Sequence, residues 1–279
     1  MGIQVAVLDL DETLVAEYAA VEKAFRATCR FARSLIAAQG RSIEEEALYT
    51  AVRRISREWW HRAPAREYAL AIGISSWEGL RADFVGEGDA LCALRAWAPT
   101  YRYESWSRAL AEQGVVDGTL PDLLVERFRQ EMSTPPALYP DALPVVRQLR
   151  ERYRLALLTN GLPELQGPKI AALGLEPFFE LIVISGALGV GKPAPIPFLH
   201  ILERLNVSPQ EAVMVGNNWR ADIGGAHGIG MRTVWVHRPS DESRGDEALD
   251  ASICDAVITE LSQLPDALAR LEHSATHAE

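Results

Sequence analysis

Lysine is scarce in this 279-residue chain: of 28 basic residues only Lys23, Lys169 and Lys192 are lysines. Arginine serves general solubility, so each lysine invites a specific role. The three cysteines, Cys29, Cys92 and Cys254, lie far apart without a C-x-x-C spacing. That excludes a disulfide framework and a cysteine-based zinc site, and fits a reducing cytoplasm. Basic charge is outnumbered by 38 acidic residues, and the net charge of −10 opposes sequence-independent binding to a phosphate backbone. Nucleic acid is therefore not an expected partner. No apolar run approaches the ~20 residues of a membrane span, and no basic stretch precedes the first apolar segment, which Asp9 closes. Neither membrane insertion nor a signal peptide is expected. Internal repeats and low-complexity tracts are also missing.

What remains is ordinary globular composition, 48% hydrophobic and 24% charged. The length is about 1.9 times the ~150-residue domain prior, which suits one large domain or a core carrying an insertion. Residues 3–10 read as a strand buried on both faces. From about Glu17 to Met132 the apolar spacing turns helical: Ala20, Ala24, Phe25 and Cys29; Leu48, Val52, Ile55 and Trp59; Leu120, Leu123, Leu124 and Phe128. Ser42-Ile-Glu-Glu45 reads as a capping box, and Ser133-Thr-Pro-Pro136 as the end of the block. Strand and helix then alternate, with strands at Leu155–Thr159, Leu181–Ser185, Val213–Gly216, Thr233–Val236 and Ala256–Ile258. The predicted fold is α/β, a Rossmann-like doubly wound parallel sheet formed by residues 1–14 and 137–279, with residues 15–136 inserted as an all-helical cap domain. The polar tail Glu272–Glu279 is expected to fray.

Ligands of open α/β sheets bind outside the carboxyl ends of the strands. Here those ends are polar: Asp9-Leu-Asp-Glu-Thr13, Thr159-Asn-Gly, a later Lys192-Pro, and Gly216-Asn-Asn followed by Asp222. Singly, each is an ordinary helix cap or turn former. Together they supply carboxylates, a hydroxyl and an ammonium, the inventory for handling phosphate with a hard divalent ion. Asp9 and Asp11, two apart in extended backbone, point to the same side and repel unless a cation or proton lies between them.

In order, Asp9-Leu-Asp-Glu-Thr-Leu14, Leu157-Leu-Thr-Asn-Gly161, Gly189-Val-Gly-Lys-Pro193 and Val215-Gly-Asn-Asn-Trp-Arg-Ala-Asp222 resemble the four motifs of the haloacid dehalogenase superfamily. The resemblance spans the sheet domain and implies a Mg2+-dependent phosphatase acting on a small phosphorylated metabolite. It makes Asp9 the nucleophile and Asp11 the general acid and base. Thr159, Asn160 through its backbone N–H, and Lys192 become the phosphate-binding groups. The metal falls to Asp9, the Asp11 carbonyl, Asp222 and Asn217. Two departures matter. Asn217 replaces the usual acidic residue after the fourth strand, removing one negative charge near the metal, and Ala194 stands where an acidic residue often follows Lys-Pro. Glu12 replaces the frequent Gly. A 2-haloacid dehalogenase, or a non-catalytic phosphate-binding relative weakened by Asn217, are the alternatives.

Other signals carry less. Gly186-Ala-Leu-Gly-Val-Gly-Lys192 matches a P-loop until Pro193 replaces the required Ser or Thr. Gly224-Gly-Ala-His-Gly-Ile-Gly230 reads as close helix-to-sheet packing. Trp59, Trp60, Trp77, Trp97 and Trp106 are expected in the inserted block's own core, and Arg53, Arg54, Arg57 and Arg62 on an exposed basic helix face. His61, His200, His227 and His237 are scattered, and His273 and His277 lie in the tail. Oligomeric state leaves no mark.

Overall fold

All four residues of β1, Val5–Leu8, are buried in the computed structural model, which describes residues 2–238 and 253–276. Parallel neighbours and helices on both faces impose such burial on a continuous apolar run. With β2 (Arg154–Thr159), β3 (Leu181–Ile184), β4 (Ala212–Gly216), β5 (Arg232–Val236) and β6 (Ala256–Ile258) it forms one six-stranded sheet of order β3-β2-β1-β4-β5-β6. Every pairing is parallel. The chain steps outward from β1 to β3 on one side and from β4 to β6 on the other. That reversal beside β1 is the switch point where such sheets open a crevice, so the expected α/β doubly wound sheet is the observed one.

The first six helices after β1 are α1 (Glu17–Ala38), α2 (Glu45–Trp60), α3 (Arg66–Ala71), α4 (Ser76–Gly79), α5 (Asp89–Glu112) and α6 (Leu120–Glu131). Around the later strands lie α7 (Ala142–Leu149), α8 (Pro163–Ala172), α9 (Ser185–Leu188), α10 (Pro195–Leu205), α11 (Gly225–His227) and α12 (Leu264–Thr276). A π-helical turn, Trp219–Gly224, joins β4 to α11.

The chain divides into two compact units, one of Met1–Glu17, Ala71–Gly73 and Ala137–Glu279, the other of Tyr18–Leu70 and Ile74–Pro136. In the first, alternate strand residues serve opposite faces. Ala6 and Leu8 join Leu155, Leu157, Val213 and Val215 under Val146 of α7 and Leu268 of α12. Val5 and Val7 join Ala156, Leu158 and Met214 under Phe198, Ile201 and Leu202 of α10. The close packing expected of the Gly224–Gly230 segment is visible at Gly225, where a Cβ would come 2.8 Å from the Phe198 ring.

The second unit is built on aromatic contacts. Phe25 lies 4.5 Å from Phe128 between ring centroids, and Tyr101 stacks on Trp97 at 4.7 Å. Trp60 and Trp106 are buried, whereas Trp59, Trp77 and Trp97 are half-buried. The arginine stripe is not uniformly exposed: Arg54 pairs with Glu58 at 3.0 Å, while half-buried Arg53 donates to the Tyr18 Oη at 2.8 Å and to that of Tyr49.

Two local expectations need correction. Ser42 does not cap α2, because the helix starts at Glu45 behind an extended Glu44 that makes no side-chain cap. Capping boxes close instead at Ser75 with Glu78 and at Ser208 with Glu211. The tail is helical through Thr276, and His277 lies outside the described residues.

Phe198 is the largest apolar side chain on the α10 face and is 1% exposed. Phe198→Ala is expected to cost about 3–5 kcal/mol, measured as a lowered urea midpoint; a loss below about 1 kcal/mol would contradict the packing described.

Candidate active site

Asp9 leaves the carboxyl end of β1 with its N–H still donating to the Val215 carbonyl of β4, 2.9 Å away. The chain then doubles back: Leu14 N–H returns to Leu10 C=O at 2.8 Å, and Glu12 N–H to Val15 C=O at 2.7 Å. This turn needs a left-handed residue, and Glu12 adopts φ +59°. Non-glycine residues disfavour that conformation by about 1–2 kcal/mol, which accounts for glycine being frequent there. Glu12 is offset by the Tyr139 hydroxyl, which donates to its carboxylate at 2.8 Å. The turn also brings back Thr13, whose hydroxyl donates to Asp9 Oδ2 at 3.1 Å and accepts the Asn217 N–H at 3.0 Å. One hydroxyl thus ties the ends of β1 and β4. Asn217 Oδ1 lies 3.4 Å from the same hydroxyl.

Lys192 arrives on the segment after β3, and the Asn160 side chain fastens its peptide in both directions. Asn160 Nδ2 donates to Lys192 C=O and Lys192 N–H donates to Asn160 Oδ1, each at 2.9 Å. Gly191 permits this approach, since a Cβ there would meet Asn160 Oδ1 at 2.5 Å. The Lys192 ammonium, 2% exposed, donates to Asp9 Oδ1 at 2.6 Å and to Leu158 C=O at 2.8 Å, and faces Asp222 Oδ1 at 2.6 Å. Asp222 is placed by the π-helical turn, where its Oδ2 accepts the Asn218 N–H at 2.9 Å. Its buried Oδ1 has the Lys192 ammonium as its partner.

Two buried carboxylates therefore share one ammonium, leaving a net negative charge. Burial, reinforced by the field of Asp222 and opposed by Lys192, pushes the Asp9 carboxyl up to about 7. Burial works against the charged form of Lys192 as well, but Asp222 and Asp9 outweigh it and raise its pKa. Residual negative charge and a set of hard oxygen donors suit a divalent cation. Its donors would be Asp9, Asp222, the Asp11 carbonyl and the Asn217 amide oxygen. Among the described residues no group of three or more His, Cys, Asp or Glu side chains converges, so any such site depends on those carbonyl and amide oxygens.

Asp11 stands apart, its side chain 28% exposed. Lys169 Nζ donates to its Oδ1 at 2.8 Å and Gln166 Nε2 to its Oδ2 at 2.8 Å. Lys169 is also 2.8 Å from Glu17 Oε2. Although burial opposes its charge, Asp11 and Glu17 raise the Lys169 pKa. The Gln166 amide nitrogen also lies 3.2 Å from Thr159 Oγ1 and 2.8 Å from the Asn160 carbonyl. The candidates thus fall into two linked networks. Asp9, Lys192, Asp222 and Asn217 form one, Asp11, Thr159 and Asn160 the other, and Asn160 joins them. Thr13, Glu17, Gln166 and Lys169 were not among the candidates; the rarity of lysine was the only signal toward Lys169.

Ala71–Gly73, from the middle of the inserted block, buttresses this end of the sheet. The Ile72 carbonyl accepts from Gly161 N–H at 2.9 Å and the Ser185 hydroxyl at 2.7 Å, and Ala71 C=O from Gly191 N–H at 2.6 Å.

The family of hydrolases described as haloacid dehalogenase-like matches residues 3–230. The chain belongs to that family. This haloacid dehalogenase-like hydrolase is 36% identical to a phosphoserine phosphatase of Thermus thermophilus over 237 residues, 85% of this chain and 89% of that one. With a glyceraldehyde 3-phosphate phosphatase of Methanopyrus kandleri it shares 45% identity over 101 residues, 36% of this chain and 43% of that one. A 2-haloacid dehalogenase from Pseudomonas syringae pv. Tomato DC3000 superposes with a TM-score of 0.57 at 25% identity, over 96% of this chain and 99% of that one. Among the described residues, no helix of the hydrolase is long and apolar enough to cross a membrane.

Two measurements check this site. Gly216 touches Asp222 so closely that a Cβ would collide with the carboxylate, whereas Gly167, inside α8, has nothing within 4 Å of the same position. Gly216→Ala is expected to lose about 1–3 kcal/mol and Gly167→Ala to gain about 0.5–1 kcal/mol in urea unfolding; equal effects would contradict the geometry. The second concerns charge. With a carboxyl pKa raised from 3.8 to about 7, folded Asp9 keeps a proton that the unfolded chain releases between those values. Its contribution to stability is complete below about pH 4 and is lost as pH rises through about 7. In EDTA, wild-type melting temperature should fall relative to that of Asp9→Asn between about pH 5 and pH 8; a constant gap would refute the assigned charge state.

Proposed function

We propose that this hydrolase is a cytoplasmic, Mg2+-dependent phosphatase of a small phosphorylated metabolite, acting through an aspartyl-phosphate on Asp9. The observation that carries the reading is the second carboxylate. Asp11 lies two residues beyond the nucleophile, partly exposed, with both oxygens held by α8. A halide leaves without a proton, so a general acid beside the nucleophile points to an ester oxygen as the leaving group rather than to the halide of a 2-haloacid. The relatives named as phosphatases support the same choice.

In the proposed sequence an Asp9 carboxylate oxygen attacks phosphorus as the ester P–O bond breaks, and Asp11 delivers a proton to the departing oxygen. A water oxygen then bonds to phosphorus, the Asp9–phosphate bond breaks, and Asp11 takes the proton that the water gives up. Lys192 orients Asp9 through Oδ1 and Thr13 through Oδ2. Thr159 and the Asn160 N–H receive phosphoryl oxygens, and Lys192 counters charge that spreads in the transition state. Held by Asp9, the Asp11 carbonyl, Asp222 and Asn217, Mg2+ when bound supplies positive charge beside the phosphate. The Asn217 amide oxygen shares the Thr13 hydroxyl with Asp9, a placement that favours a working site over a relic.

Release of p-nitrophenol from p-nitrophenyl phosphate is expected to require both Mg2+ and Asp9, with Asp9→Asn losing on the order of 10³-fold or more in kcat. A panel headed by O-phosphoserine and glyceraldehyde 3-phosphate then seeks the metabolite. No turnover across a wide Mg2+ range would overturn the phosphatase reading, and chloride release from 2-chloropropionate would test the dehalogenase in its place.

A further inference from the structure

Two residues of α8 engage Asp11 at the same time. Gln166 and Lys169 are three apart, so they share a face of the helix, and that face meets both oxygens of one carboxylate at 2.8 Å. Their burial is unusual for such side chains: Gln166 is 1% exposed and the Lys169 side chain 4%. Burying an ammonium is costly unless it is paired, and an aliphatic residue would pack the helix more simply. Lys169 is paired twice, with Asp11 on one side and Glu17, the first residue of α1, on the other. Glu17 thereby fixes the far side of the ammonium, and a long flexible lysine becomes a rigid post. Gln166 adds the second constraint, because its one amide nitrogen reaches Asp11, Thr159 and the Asn160 carbonyl. The acid–base carboxylate and the phosphate-binding pair are thus referenced to a single group.

We propose that Lys169 and Gln166, with Glu17 behind Lys169, are positioning residues that hold the plane of the Asp11 carboxylate for both of its proton transfers. The proposal rests on the phosphatase reading. Neither residue touches the reacting phosphorus; each acts through Asp11. Proton transfer demands hydrogen-bond reach and alignment, and fixed side chains behind a reacting group are what supply them. A carboxylate released from both partners rotates freely about its terminal torsion and delivers its proton only in a fraction of its orientations.

Leaving-group dependence separates this role from a purely structural one. In the first step the Asp9 oxygen bonds to phosphorus, the aryl ester bond breaks, and the aryl oxygen takes the Asp11 proton. Dinitrophenolate leaves without that proton, whereas phenolate needs it. Wild type, Lys169→Met, Lys169→Arg and Gln166→Met are therefore compared on phenyl, p-nitrophenyl and 2,4-dinitrophenyl phosphate with Mg2+. Lys169→Met should lower kcat/KM for phenyl phosphate about 100-fold and leave that for 2,4-dinitrophenyl phosphate within about threefold. Lys169→Arg should recover part of the loss. The second step also uses Asp11, so Lys169→Met should release a burst of dinitrophenolate, one equivalent per enzyme, before a slowed steady state. Should Lys169→Met fail to fold, with Asp11 and Glu17 left facing each other, Gln166→Met carries the same test without an unpaired charge. An equal loss on all three esters, or no loss on phenyl phosphate, overturns the proposal. A wild type inactive on every ester overturns the phosphatase reading itself, and this proposal with it.

Discussion

One buried ammonium between two buried carboxylates governs this site. Lys192 meets Asp9 and Asp222 at 2.6 Å each and has a single charge for both. One positive charge against two carboxylates out of water leaves the balance negative, and burial, reinforced by the field of Asp222, pushes the Asp9 carboxyl up to about 7. Much of the neighbouring structure serves this imbalance. Asn160 holds the Lys192 peptide, Gly191 allows the approach, Thr13 occupies the other oxygen of Asp9, and the π-helical turn aims Asp222 inward.

The sheet makes this convergence possible without any long-range search by the side chains. β1 lies between β2 and β4, so residues at or just past three adjacent strand ends fall together automatically: Asp9 and Asp11 from β1, Thr159 and Asn160 from β2, Asn217 from β4. Parallel pairing matters, because it puts all those ends on one edge. Lys192 and Asp222 then need only a short segment and a single turn of helix to reach the same place.

That logic also explains what could be read in advance. Strand identity followed from runs such as Val5–Leu8 and Ala212–Gly216, whose both-face burial leaves an unmistakable apolar stretch. The polar residues at their ends were legible for the same reason, as breaks in that stretch. Gln166, Lys169 and Glu17 were not, because a helix residue's partner 155 or 158 positions away is a fact of packing rather than of spacing. Ser42 shows the opposite failure. Its S-x-x-E pattern is as good as those at Ser75 and Ser208, but such a box closes only where the backbone makes serine the last non-helical residue, and at α2 that place belongs to Glu44.

The return of Ala71–Gly73 to the sheet unit bears on how the inserted block could be exchanged. An insertion joined only at its ends can be cut out and replaced as a cassette. Here the chain crosses between the units four times rather than twice, and the middle crossing leaves carbonyls bonded to Gly161, Ser185 and Gly191. A chimera made by a single replacement would strip those partners from the loops beside Asn160 and Lys192, taking from the buried Gly191 N–H its acceptor, the Ala71 carbonyl. In units of exchange, then, the helical block is two loops sharing a fixed midpoint, and that midpoint travels with the sheet.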